Sequence, residues 1–187
     1  MRLFCGVGIN DVTGSIKTKE YRLWADMLKR SYDKKLHQRQ PTYLDCETSS
    51  EFLVLSKFRD WCQNQIGFNQ PNFELDKDLL EKSNKEYHPD KCVFIPREIN
   101  SSLKTRKKMR GNLPIGVSLS QSGSFMAMFN RGGVTRYLGS FSTPEQAFQA
   151  YKQAKESHIK VLANKYKDQI DPRAYDALMN YKVEITD

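Results

Sequence analysis

The sequence predicts an α+β protein in two parts. A helical N-terminal region ends in a hairpin and helix, and a C-terminal three-stranded antiparallel sheet is covered by one helix. Three observations lead there. Apolar residues recur at helical spacing over 21–32 and 49–65. Three short β-type runs, 116–120, 124–130 and 135–141, are separated by Gly123 and by Gly132-Gly133, where tight hairpins need positive φ. Between the halves the run KTRKKMR, 104–110, has five basic residues in seven and is followed by Gly111, the composition of a solvated linker. The expected organisation is 1–103, a basic linker at 104–112, a unit at 113–168, and a C-terminal helix and tail at 169–187.

Taken in order, the N-terminus MRLFCGVGIND carries a short apolar patch, far below a secretory h-region or a membrane span. Its Gly6-Val7-Gly8 is too short to cradle a phosphate. Over 21–32, Tyr21, Trp24, Ala25, Leu28 and Tyr32 share one helical face, with Lys29 and Arg30 on the wet side. A Pro-containing connection at 39–46 leads to a second helix at about 49–65, with Phe52, Leu53, Leu55, Phe58, Trp61 and Cys62 inward and Gly67 as its stop. Residues 73–76 read as a strand, 84–87 as a turn, 92–95 as a second strand, and 96–103 as the start of a helix. In the C-terminal part Thr143 is the expected N-cap of the covering helix, with Pro144 at its first position and Glu145 in its first turn. Ala147, Phe148, Ala150, Tyr151, Ala154, Ile159, Leu162 and Ala163 form its inner face. The tail DPRAYDALMNYK, 171–182, is expected to pack back on this unit. His37 and His158 read as solvated and receive no catalytic role.

Composition narrows the function classes. The chain has 187 residues, 39% of them hydrophobic, enough to bury one core or two small ones without covalent staples. A formal charge of +8 and a pI near 9.3 favour a polyanionic partner. Cys5, Cys46, Cys62 and Cys92 are scattered without a C-x-x-C pair, which argues for reduced, buried thiols and a cytoplasmic location. Phosphate-cradle, dinucleotide and serine-hydrolase motifs are absent, so no nucleotide cofactor is expected, and no membrane partner.

Four groups of residues in the C-terminal part, GV at 116–117, F-x-A at 125–127, YLGSF at 137–141 and T-x-E-x-A-x-x-A-Y at 143–151, resemble the AP2 DNA-binding domain of phage mobile-element proteins and plant transcription factors. The resemblance implies that the sheet face free of the helix enters the major groove of double-stranded DNA. It places Ser118, Ser120, Ser122, Met128, Asn130, Thr135 and Tyr137 toward the groove, with Arg136 adjacent. Asn130 and Tyr137 are the side chains best suited to recognise base edges or pack on the sugar-phosphate wall. Ser, Met and Asn stand where plant members have several arginines, so the plant sequence preference does not transfer. Lys104, Arg106, Lys107, Lys108 and Arg110 would lie along phosphates.

In the N-terminal part, W-x-x-M-L-x-R-x-Y at 24–32, F-x-x-W at 58–61, LDKD-L-L at 75–80 and Y-x-P-x-x-C-V-F-I-P-x-x-I-N at 87–100 look like the phage HNH-type (ββα-metal) homing-endonuclease proteins that often carry a C-terminal AP2 domain. That resemblance implies a metal-dependent DNA endonuclease, with Asp76 and Asn100 as the hard-oxygen ligands of one Mg²⁺ or Mn²⁺. At the position of the expected strand histidine stands Lys77, a poor base at neutral pH. Two repairs are open: Asp78 joins the metal site from the same strand face, or His88 supplies the base. The alternative is a non-catalytic DNA-binding protein or regulator derived from such a nuclease.

Overall fold

The computed structural model describes residues 3–105 and 112–187, which form an α+β protein dividing into two compact units. The first comprises Met1–Ile95 and Gln169–Ala174, the second Pro96–Asp168 and Tyr175–Asp187.

The first unit is organised by α1, Lys19–Tyr32. The Thr18 hydroxyl accepts from the Tyr21 amide and caps its first turn (3.2 Å). Trp24, Ala25, Met27 and Leu28 are buried on one face, and the Trp24 indole donates to the Phe52 carbonyl at 2.8 Å. The N-terminal segment folds over this face. A Cβ on Gly8 would stand 2.3 Å from Leu28 Cδ1, so only glycine passes there. This segment also explains why the second predicted helix is broken. Ile9 bridges Val54 in parallel, donating to Leu53 O (2.8 Å) and accepting from Leu55 N (2.9 Å). Val54 is therefore extended, and a 3-10 turn, Ser50–Leu53, precedes α3, Leu55–Gln63. A short α2, Lys34–Arg39, begins where Asp33 accepts from the amides of Lys35 and Leu36.

β1, Glu47–Thr48, pairs in parallel with β3, Glu86–Tyr87, and β2, Phe73–Asp76, pairs with β4, Val93–Pro96. The segment read as a turn at 84–87 thus contains a strand, stabilised by a partner about forty residues away in sequence. β4 is wholly buried, and Phe94 packs against Trp61 and Phe68.

The second unit begins with α4, Arg97–Leu103. β5, Val117–Leu119, β6, Phe125–Arg131, and β7, Val134–Phe141, follow as an antiparallel sheet in the order β5-β6-β7. α5, Pro144–Lys165, covers one face, with the Thr143 hydroxyl accepting from Gln146 N as its cap (3.3 Å). The close approach is visible at Gly116, where a Cβ would fall 2.0 Å from the Tyr151 ring. Ala127, Phe129, Ala147, Phe148 and Tyr151 form the core between helix and sheet. α6, Pro172–Met179, is followed by Tyr181 and Val183, which join that core. Glu98 on α4 accepts from Lys165 Nζ (2.6 Å) and the Tyr166 hydroxyl (2.8 Å), and these donors hold its carboxyl below the usual range.

His158 corrects the reading of α5. It is 9% exposed, with its ring edge-on to Phe129 at 5.5 Å, and burial lowers its basicity. Lys155 is 2% exposed on the same helix. Both look polar in a helical wheel, but a helix of this length lying across a sheet buries a wider stripe than its apolar residues mark.

Candidate functional site

Two groups of residues carry the candidate chemistry, one in each unit. In the first unit, Asp76 closes β2 and its Oδ1 accepts from the amides of Asp78 (2.9 Å) and Leu79 (2.8 Å), forming a local turn. Burial pushes its carboxyl up and Asp78 adds to this, while the two amides and Lys77 pull the other way. Asp78 lies beyond the strand, in a bend. Strand alternation therefore does not set its direction, contrary to the expectation of a shared strand face. Lys77 is 7% exposed, and its ammonium donates to Asp78 Oδ1 and to the Asn84 carbonyl, each at 2.5 Å. Asn84, 6% exposed, donates to the carbonyls of Lys77 and Glu86 (both 2.7 Å) and accepts from Glu86 N (3.1 Å). In the sequence Asn84 reads as a turn residue. Its burial was the missing signal, and a pattern-based reading has no access to it.

His88 is half-buried and sits in its own turn. Its Nδ1 accepts from Asp90 N at 3.2 Å, and its carbonyl accepts from Lys91 and Cys92 amides at 3.0 Å. Asn100 lies on α4, in the second unit, whereas Asp76 lies in the first. Among the described residues no group of three or more His, Cys, Asp or Glu stands ready to hold a metal ion. Of the expected carboxylate ligands, Asp76 has its Oδ1 held by two amides and Asp78 has its Oδ1 paired with Lys77.

The second group is the sheet face away from α5. Cross-strand pairing puts Met128 opposite Tyr137, Asn130 opposite Thr135, Met126 opposite Ser140, and Ser118 opposite Met126. These seven side chains share the outer face. A register shift between Ala127 and Met128 bends β7 and keeps both Tyr137 and Ser140 outward. Met126 and Ser140 are therefore additions to the predicted face. Arg136 pairs with Phe129, on the α5 side, and is exposed there with Arg131.

The polar groups of the outer face are largely turned on one another. Asn130 Nδ2 donates to Thr135 Oγ1 (3.2 Å), and its Oδ1 accepts from Gly133 N (3.1 Å), bracing a turn in which Gly132 and Gly133 both have positive φ. The Tyr137 hydroxyl donates to Ser140 Oγ at 2.8 Å. Ser120 Oγ lies 2.9 Å from Ser122 Oγ and 2.8 Å from Ser124 Oγ, in the β5-β6 turn. The Ser118 hydroxyl is screened from solvent and makes no hydrogen bond. Lys104 is exposed, whereas Arg106, Lys107, Lys108 and Arg110 lie outside the described residues.

Charge is unevenly shared. Residues 1–95 hold fifteen Lys and Arg against fourteen Asp and Glu, and residues 96–187 hold fifteen against eight, so +7 of the +8 belongs to the second part. A pocket of about 300 Å³ in the first unit, beside the start of α1, is lined by Thr18, Glu20, Arg59 and Gln63, whose opposite charges favour no ligand class. The four cysteines are free; burial raises the Cys62 thiol and pushes Cys92 up to about 12, which leaves both protonated and inert. No helix among the described residues is long and apolar enough to cross a membrane. No protein-family model, curated protein or solved structure matches the chain.

Proposed function

We propose that this protein binds double-stranded DNA through the outer face of the β5-β6-β7 sheet, and that the hairpin of its first unit is a degenerate HNH-type centre for metal-dependent DNA cleavage, in a protein of phage or mobile-element type. The observation that supports DNA binding best is the coincidence, in one unit, of an exposed sheet face opposite its covering helix with nearly all of the net positive charge. Mg²⁺ or Mn²⁺ would be held by Asp76; Asn100, the other ligand that the motif suggests, belongs to the second unit. Such an ion supplies charge stabilisation at a phosphate oxygen and acidifies bound water. Asn84 and the Lys77 ammonium hold the loop after β2 in one conformation, so that the Asp76 carboxylate would be positioned before any substrate arrives.

The reading without catalysis, a DNA-binding regulator, is favoured by Lys77 itself. An ammonium that is buried and ion-paired has no lone pair for general-base work. Supercoiled DNA incubated with the protein in Mg²⁺ or Mn²⁺ separates the two. Nicking or linearisation that is lost in Asp76→Ala, with duplex affinity retained, supports the nuclease. Lys77→His should raise the rate if the frame is otherwise competent. DNA left uncut by both wild type and Lys77→His, from neutral to alkaline pH, leaves the regulator reading. Binding itself is checked by salt titration. About five neutralised phosphates give a slope of log affinity against log salt of roughly −4 to −5, and a slope near zero sinks the electrostatic part of the proposal.

A further inference from the structure

Reading DNA in the major groove by hydrogen bonds requires donors and acceptors free to meet base edges, and for guanine an arginine or lysine. The outer sheet face offers few. None of its seven residues is charged, and by register Arg131 and Arg136 belong to the opposite side. Asn130 has spent its carbonyl oxygen and one amide bond on the β6-β7 turn, the Tyr137 hydroxyl is bonded to Ser140, and the Ser118 hydroxyl is out of solvent. What remains presented is apolar: the Tyr137 ring at 62% exposure, the Met128 thioether at 37%, and the methyl of Thr135, whose hydroxyl is turned to Asn130.

On the duplex-DNA reading above, we infer that this face selects A·T-rich duplex by apolar contact of Met128, Thr135 and Tyr137 with thymine C5-methyl groups. Base-edge hydrogen bonds play little part in the selection. The C5-methyl is the one apolar group that the major groove displays, and it distinguishes thymine from every other base. The exposed arginines on the other side of the sheet, with the basic residues of the second unit, supply affinity to phosphates without sequence content.

The test uses the full-length protein and duplexes of equal length: alternating A·T, the same sequence with uracil in place of thymine, alternating G·C, and alternating G·C with 5-methylcytosine. Uracil removes only the methyl, and 5-methylcytosine restores a methyl at the same groove position. Replacing thymine by uracil should weaken binding about fourfold for each methyl group that the protein touches. Methylation of cytosine should strengthen it. Met128→Ser and Tyr137→Ser should bring the thymine-to-uracil ratio toward one with an unchanged salt slope and an unchanged circular dichroism spectrum. Equal wild-type affinity for the thymine and uracil duplexes, with strong salt dependence, overturns the methyl inference and leaves the DNA-binding reading standing. A full ratio in the double variant also overturns it. Absence of binding to all four duplexes at low salt overturns both.

Discussion

The loop after β2 and the outer face of the β5-β6-β7 sheet use polar groups in opposite ways. In the loop, Lys77 and Asn84 are buried, and each of their hydrogen bonds fastens one part of it to another. On the sheet face, Asn130, Thr135, Tyr137 and Ser140 are exposed, and they pair in twos at the surface. A buried donor left unpaired carries its full desolvation penalty, whereas an exposed one can return to water. The loop network therefore determines conformation. The surface pairs decide mainly which atoms are shown to a partner.

That contrast can be broken at four positions. The largest effect belongs to Asn84→Ala, which removes three hydrogen bonds and leaves the Lys77 and Glu86 carbonyls without their donor; the first unit should lose about 2–4 kcal/mol in urea unfolding. A loss below about 0.5 kcal/mol would mean that the loop is held by something else.

Asp76→Asn should act with the opposite sign. The folded carboxyl has its proton affinity raised by burial, so this residue favours the fold at low pH and disfavours it as pH rises through the folded value. Asparagine keeps the acceptor for the Asp78 and Leu79 amides without the charge. The variant should be more stable than wild type at neutral pH, and the gap should close below about pH 4, where the unfolded carboxyl is also protonated. Identical stability at both pH values would show that the carboxylate costs the fold nothing.

Asn130→Ala should cost about 1 kcal/mol, through the turn it braces, and should change base preference less than Met128→Ser. This differs from the expectation that Asn130 recognises base edges. Tyr137→Phe should be smallest, within about 0.5 kcal/mol in thermal unfolding, because its bond to Ser140 is exposed.

Much of this was legible in the chain. The spacing of Trp24, Ala25 and Leu28, the Gly123 and Gly132-Gly133 turns, and the Thr143-Pro144-Glu145 start of α5 are local signals, and local backbone preference and period determine such elements. The helix break at Val54 was not legible, because it depends on Ile9, forty-five residues earlier, donating and accepting across a bridge. β3 was hidden in the same way, its partner lying at 47–48. The candidate residues divide along the same line. Asp76, Lys77, Met128 and Tyr137 are candidates through the family resemblances of their motifs, not through any local period. Only the tertiary structure decided that Lys77 and Asn84 are locked, that Asp78 leaves the strand, that His158 is buried, and that Asn130 and Tyr137 on the outer face are bonded to Thr135 and Ser140. Burial and hydrogen-bond pairing are properties of neighbours distant in sequence, and no window along the chain contains them.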